Sequence, residues 1–374
     1  MSDNVFISRR EAIALAAAAA AGSLAARRLL AQPSSHGLVI RNERPLDAEA
    51  PLGALARWET DADLFFVRSH FGPPTRAASP FRLEVVGDVE RPLSLSLAAL
   101  RRLGSERRPV TLECAGNGRG VFALPKTSGV QWGYGAVSNA TWTGVPLGEL
   151  LERAGARPGA LHFWTEAADQ APLGKVPKFL RSIPRDVALG DAFVAWEMNG
   201  RPIPTLHGGP VRLIVPGWFG MASTKWLTRI HAKPVESDNF YMATGYRYPD
   251  RTPVQAMRVK SVIAAPLEGA RVRVGRVAVR GKAWSGAGAG GIRAVEVTAD
   301  GGRTWRPARL VGAERPGAWR AWEAEVEAAS PGPQRVAVRA TDRSGAVQPE
   351  RAEPNAPGYG NNSWHEVRYV AVAG

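Results

Sequence analysis

One cysteine occurs in 374 residues, and histidine is almost as scarce, with six. A single thiol excludes an intrachain disulfide, so stability has to come from a packed core. No CxxC, HExxH, CxxCH or EF-hand spacing is present, which argues against structural zinc, c-type haem and calcium. Phosphate-loop and dinucleotide fingerprints are missing too, because Gly116-x-Gly118-x-Gly120 has the wrong spacing. Lysine contributes seven of the 48 basic residues. No Lys/Arg cluster is interleaved with aromatics, so the net charge of +14 reads as a basic surface open to anions or to an acidic partner, not as a nucleic-acid interface. No run reaches membrane length, and no repeat of 20–50 residues is visible.

At the N-terminus Ser8-Arg9-Arg10 precedes the alanine-rich run from Ala12 to Ala21, then Arg27-Arg28 and Leu29-Leu30-Ala31. Paired arginines before a weakly apolar segment predict a twin-arginine export signal over 1–32, a periplasmic location and no membrane anchor once the signal is removed. Residues 33–60 are polar and expected to wrap the surface. From there to about 250, strand signals at Leu64–Phe71, Phe81–Val89, Leu161–Trp164, Phe193–Met198, Val211–Val215 and Lys225–Ala232 mix with helix signals at Leu95–Leu103 and from Pro146 to Gly155, with one turn over Arg185–Leu189. This is an α+β pattern. Beyond 250 the chain alternates Val272, Val274, Val277 and Val279, then Ile292, Val295 and Val297, then Trp319–Val326, Val336 and Val338. Short strands with Gly/Asp turns and no helix signal predict an all-β immunoglobulin-like sandwich over 251–374.

The chemistry concentrates at Val110–Gly120. A β-branched run leads to Cys114, and three alternate glycines with Arg119 among them follow. That reads as a strand ending in a loop where backbone approaches something closely. A lone cysteine is commonly a small buried hydrophobe. Beside an arginine it is also suited, as a thiolate, to ligate a soft metal whose other donors arrive with an organic cofactor.

Glu113-Cys114-Ala115-Gly116-Asn117-x-Arg119 resembles the molybdenum-ligating loop of the sulfite oxidase family. Four further blocks agree in order: Phe66-Val67-Arg68-Ser69-His70; Glu197–Gly200 through His207–Arg212 to Val215-Pro216-Gly217; Ser223-Thr224-Lys225-Trp226-Leu227; and Tyr246. The resemblance spans about 55–374 and implies a molybdopterin domain over 33–250 with a dimerisation-type sandwich behind it. It makes Cys114 the metal ligand and lines the substrate pocket with Arg68, Arg119, Trp132 and Tyr246. Phe66, Val67, Arg68, Ser69, His70, Asp169, His207, Arg212, Ser223, Thr224 and Lys225 would hold the molybdenum–molybdopterin. The implied activity is oxidation of sulfite to sulfate by oxo transfer, with electrons passed to an external acceptor such as a cytochrome c, in a homodimer. Pro357 stands where the family often keeps a substrate arginine, before Trp364-His365, so a sulfane-sulfur dehydrogenase or another molybdopterin oxotransferase is the alternative of the same fold. A non-catalytic exported binding module is the alternative of another class.

Overall fold

A computed structural model describes residues 37–74, 80–122, 127–171, 174, 176–286 and 291–373. The export-signal expectation over 1–32 lies outside the described residues.

The N-terminal part is built on two five-stranded sheets. The first runs Arg201–Pro202, Phe193–Met198, Val137–Pro146, Glu106–Glu113, with Arg212–Ile214 also paired to Phe193–Met198; every pair is antiparallel. Its central strand is buried on both faces. Phe193 and Ala195 enter one core with Phe65, Leu112, Trp132 and Trp142, while Val194 and Trp196 enter another with Leu83, Leu150, Phe163 and Ile230. Side chains alternate across a strand, so a stretch buried on both faces is apolar at every position, as Phe193 to Trp196 are. The second sheet orders Leu93–Leu95, Leu83–Gly87, Leu227–Lys233, His162–Ala167 and Leu180–Pro184, with one parallel pair between Leu83–Gly87 and Leu227–Lys233. Between the sheets the helix Leu147–Ala154 buries Leu147, Leu150, Leu151 and Ala154 on one face, and Gly155 ends it at φ 65 in the left-handed region.

Residues from Lys260 form two packed sheets. One orders Lys260–Ala265, Gly275–Trp284, Arg320–Ala328 and Arg309–Val311; the other orders Arg271–Arg273, His365–Val372, Gly332–Asp342, Ile292–Thr298 and Arg306–Pro307. Their inner faces share a core of Val279, Val295, Val297, Trp322, Val336, Val338 and Val367. The chain is thus mixed α+β followed by an all-β sandwich.

Two expectations differ from this structure. Leu64–Phe71 is not a strand: Ala62–Leu64 is a short 3-10 turn, and only Val67 bridges, to Ala48. Consecutive Phe65, Phe66 and Val67 are all buried, which a half-buried alternating strand does not allow. Nor do residues 37–60, the described part of the segment expected at the surface, simply wrap it. Val39–Glu43 and Leu46–Glu49 form a hairpin. Asp47, Ala48, Glu49, Ala50 and Leu55 are buried. Ala50 and Leu55 join the core that unites both parts of the chain, with Ala115, Phe219, Val262, Trp284 and Trp319.

Candidate active site

Cys114 sits where the strand Glu106–Glu113 ends. Its loop is fixed from both domains. The Glu113 carboxylate accepts from Asn117 Nδ2 at 2.9 Å, Lys260 Nζ at 3.0 Å and Trp284 Nε1 at 2.8 Å. Gly360 N donates to the Ala115 carbonyl at 2.8 Å, and Asn361 Nδ2 to the Gly118 carbonyl at 2.8 Å. Glycine is required at 118, which holds φ 88 against the Asn361 side chain, while a Cβ on Gly116 would displace the Arg119 guanidinium 2.7 Å away.

The thiol opens into a cleft of about 760 Å³. Of the expected site residues, Phe66, Arg68, Ser69, His70, Cys114, Asp169, His207, Arg212, Ser223, Thr224, Lys225 and Tyr246 line it. Three do not. Val67 bridges to Ala48 through its backbone. Trp132 is fully buried in the core that holds Phe65 and Leu112, its indole nitrogen unpartnered. Arg119 stands at the edge, Nη1 donating to Val130 O at 3.1 Å and Nε to Pro357 O at 3.2 Å, with its guanidinium 5.3 Å over the Tyr359 ring.

Two sets of charges lie in or beside the cleft. Around Cys114 stand Arg68, Arg119 and Asp47. Burial pushes the thiol up, and the two arginines oppose that shift. Arg68 pairs with Asp47 at 3.4 Å, donates to the Ser69 carbonyl, and reaches His70 Nδ1 at 3.2 Å. A guanidinium only donates, so Nδ1 must accept and the proton sits on Nε2. That nitrogen lies 2.9 Å from Tyr246 Oη, which therefore accepts and keeps its own proton free to donate elsewhere. Burial, then Arg68, Arg181 and Lys225, hold His70 neutral, well below its ordinary value. Tyr246 itself has φ 55, a strained conformation for a bulky residue.

The second set is Lys225, Arg212, His207 and Asp169. Burial and the neighbouring Arg212 lower Lys225 to about 7. Burial lowers Arg212 to about 9; its donors reach only the carbonyls of His207 at 2.7 Å, Ser223 at 2.9 Å and Leu213 at 3.4 Å. Burial raises Asp169 to about 6, and its Oδ1 is buried without a partner among the described residues. His207, lowered to about 3 by burial, donates Nε2–H to Ala62 O at 2.8 Å. The Ser223 hydroxyl accepts from Val215 N at 3.0 Å, and Thr224 Oγ1 meets Thr165 Oγ1 at 2.7 Å. A buried guanidinium without a carboxylate and a buried carboxyl oxygen without a donor are costly unless something completes them.

This set can take an anionic, hydrogen-bonding organic group, and the thiol can take a soft metal. Among the described residues no three His, Cys, Asp or Glu side chains gather as a metal cage. A metal at Cys114 therefore needs donors from a cofactor. Sequence reasoning missed Asp47, Arg181 and Tyr359. The first lay in the segment expected at the surface, and the other two are single polar or aromatic residues with no local pattern around them.

Residues 70–241 match the family model described as "Oxidoreductase molybdopterin binding domain", and 251–371 match "Mo-co oxidoreductase dimerisation domain". The chain is 37% identical over 360 residues to sulfite oxidase of Gallus gallus, covering 89% of this chain and 78% of that one. It is 35% identical over 364 residues to the mitochondrial sulfite oxidase of Mus musculus, covering 90% of this chain and 66% of that one. The crystal structure of the sulfane dehydrogenase SoxCD from Paracoccus pantotrophus superposes with a TM-score of 0.75 at 29% identity, covering 90% of this chain and 85% of that one.

Proposed function

This chain belongs to the sulfite oxidase family of molybdopterin oxidoreductases, and we propose that it is a periplasmic molybdenum-dependent sulfite dehydrogenase. One observation carries the reading: a lone thiol flanked by arginines opens onto the cleft that holds the buried Arg212 guanidinium, which no carboxylate pairs with among the described residues. The donor set fits molybdopterin. Cys114 is the soft metal ligand. Arg212 and Lys225 suit the phosphate tail, and the unpartnered Asp169 Oδ1 suits the amino and ring N–H donors of a pterin.

When bound, the molybdenum–pterin group supplies two-electron oxygen-atom transfer. The protein supplies placement and charge. Arg68, with Arg119 behind it, draws a small oxyanion toward Cys114, since guanidinium forks match pairs of oxygens. Tyr246, its oxygen already accepting from His70, offers its proton to that oxyanion. The electrons leave to an external acceptor such as a cytochrome c, and Arg9-Arg10 directs the chain to the periplasm. Sulfane sulfur is a second candidate substrate, supported by the likeness to the sulfane dehydrogenase and by Pro357, whose carbonyl, not a cation, meets Arg119.

Steady-state assay with sulfite and cytochrome c tests the reading. Turnover by the molybdenum-loaded protein is expected. Its absence with the metal fully loaded would turn the assignment to sulfane sulfur.

A further inference from the structure

Arg119 opens a short 3-10 turn, Arg119–Val121, in the first part of the chain, yet most of what orients its guanidinium comes from the second. Nε donates to the Pro357 carbonyl at 3.2 Å, and the guanidinium carbon lies 5.3 Å from the centroid of the Tyr359 ring. Nη1 donates to the Val130 carbonyl at 3.1 Å. Among the described residues no carboxylate pairs with Arg119. Two carbonyls and a ring face hold a guanidinium without cancelling its charge.

Tyr359 is itself fixed by its loop. The Asn355 side chain grips its backbone on both sides, Oδ1 accepting from Tyr359 N at 2.9 Å and Nδ2 donating to Tyr359 O at 2.8 Å. Gly358 and Gly360, its two neighbours, hold φ 64 and φ 66 in the left-handed region. A Cβ on Gly358 would stand 2.8 Å from Arg119 Cγ, so glycine there lets the loop close on the arginine. On its other side the Tyr359 ring stacks with Tyr246, centroids 5.4 Å apart and planes 19° apart. Tyr246 lines the cleft beside Cys114, while Arg119 stands at the edge. One ring thus links a wall of the cleft to a long, unpaired cation.

We propose that Tyr359 is a positioning residue for the anion: its ring, braced on Tyr246, holds the Arg119 guanidinium at the cleft edge as an uncancelled charge for an oxyanion arriving at Cys114. The proposal rests on the reading of the cleft given above. Both contacts are made by the ring, so the ring carries the role and the hydroxyl does not.

The test uses oxidised holoenzyme as wild type, Tyr359→Leu, Tyr359→Phe, Arg119→Gln, and Tyr359→Leu combined with Arg119→Gln. Two quantities are read: the affinity for inorganic sulfate by calorimetry, and kcat and KM with sulfite. Tyr359→Leu is expected to weaken sulfate binding and raise KM by roughly tenfold, with kcat changed less than about threefold. Tyr359→Phe keeps the ring and should stay within about twofold of wild type in both. In the Arg119→Gln background the leucine change should cost less than about threefold, because the cation it positions is gone. An unmoved sulfate affinity in Tyr359→Leu, a tenfold loss in Tyr359→Phe, or an undiminished loss in the Arg119→Gln background would overturn the proposal. Should the leucine variant fail to fold, the phenylalanine variant still decides, since it separates ring from hydroxyl. Wild type that binds sulfate but does not turn sulfite over would count against the substrate reading alone, and the sulfate affinities would still decide the role of Tyr359.

Discussion

Cys114 gathers the site's chemistry onto one sulfur atom. Cys114→Ser is expected to abolish turnover and metal retention while the far-ultraviolet spectrum stays native, since the side chain only borders the core of Phe65 and Trp132. Full activity in that variant would remove the ligand role. Arg212→Met deletes a buried cation with no carboxylate partner. Losing a charge-assisted contact of about 1.5–3 kcal/mol should weaken cofactor retention by roughly 10- to 150-fold. Pterin content after gel filtration checks this. Lys225 makes anion binding pH-dependent. With its ammonium lowered to about 7, it is charged below that pH and neutral above. Inorganic phosphate should therefore raise the melting temperature of cofactor-free protein more at pH 6 than at pH 8. Equal shifts would place the anion elsewhere. Most of these residues were legible in the sequence because they fall in ordered blocks around Cys114. Val67, Arg119 and Trp132 depart from the pattern, Trp132 most: the resemblance puts it beside the pocket, yet its ring is enclosed in the core.

At the scale of elements, the strand Glu106–Glu113 and its loop are held by side chains more than a hundred residues away. Lys260 Nζ reaches both Glu113 at 3.0 Å and the Asn117 carbonyl at 3.2 Å. Lys260→Met leaves Glu113 charged and buried, so a destabilisation of about 3–5 kcal/mol is expected. Urea unfolding measures it, and a loss under about 1 kcal/mol would show the pair to be dispensable. Long-range closures of this kind have no local signal, which is also why strands such as Val137–Pro146 and Leu180–Pro184 are not legible in the sequence. Val137–Pro146 carries Ser138, Asn139 and Thr143 in its buried stretch. Asn139 is satisfied by Thr60, Thr111 and Trp58, partners distant in the chain. Leu180–Pro184 contains buried Arg181, which breaks the apolar alternation. By contrast the helix Leu147–Ala154 announced itself through its spacing and Gly155, because its stabilising contacts lie on one face.

Across the whole molecule, the core shared by both parts makes them one catalytic unit, since Gly360, Asn361 and Lys260 of the second part shape the cysteine loop of the first. The match to a dimerisation domain over 251–371 leads to the expectation of a homodimer, twice the chain mass by light scattering. The net charge of +14 suits an acidic electron acceptor, and reduction of such a partner should slow as salt is added. The central claim is that a solitary thiolate anchors a molybdenum–pterin group. Elemental analysis of the purified full-length protein tests it most directly. About one molybdenum per chain is predicted for the wild type and almost none for Cys114→Ser; a wild type without molybdenum, or a serine variant that keeps it, would contradict the account.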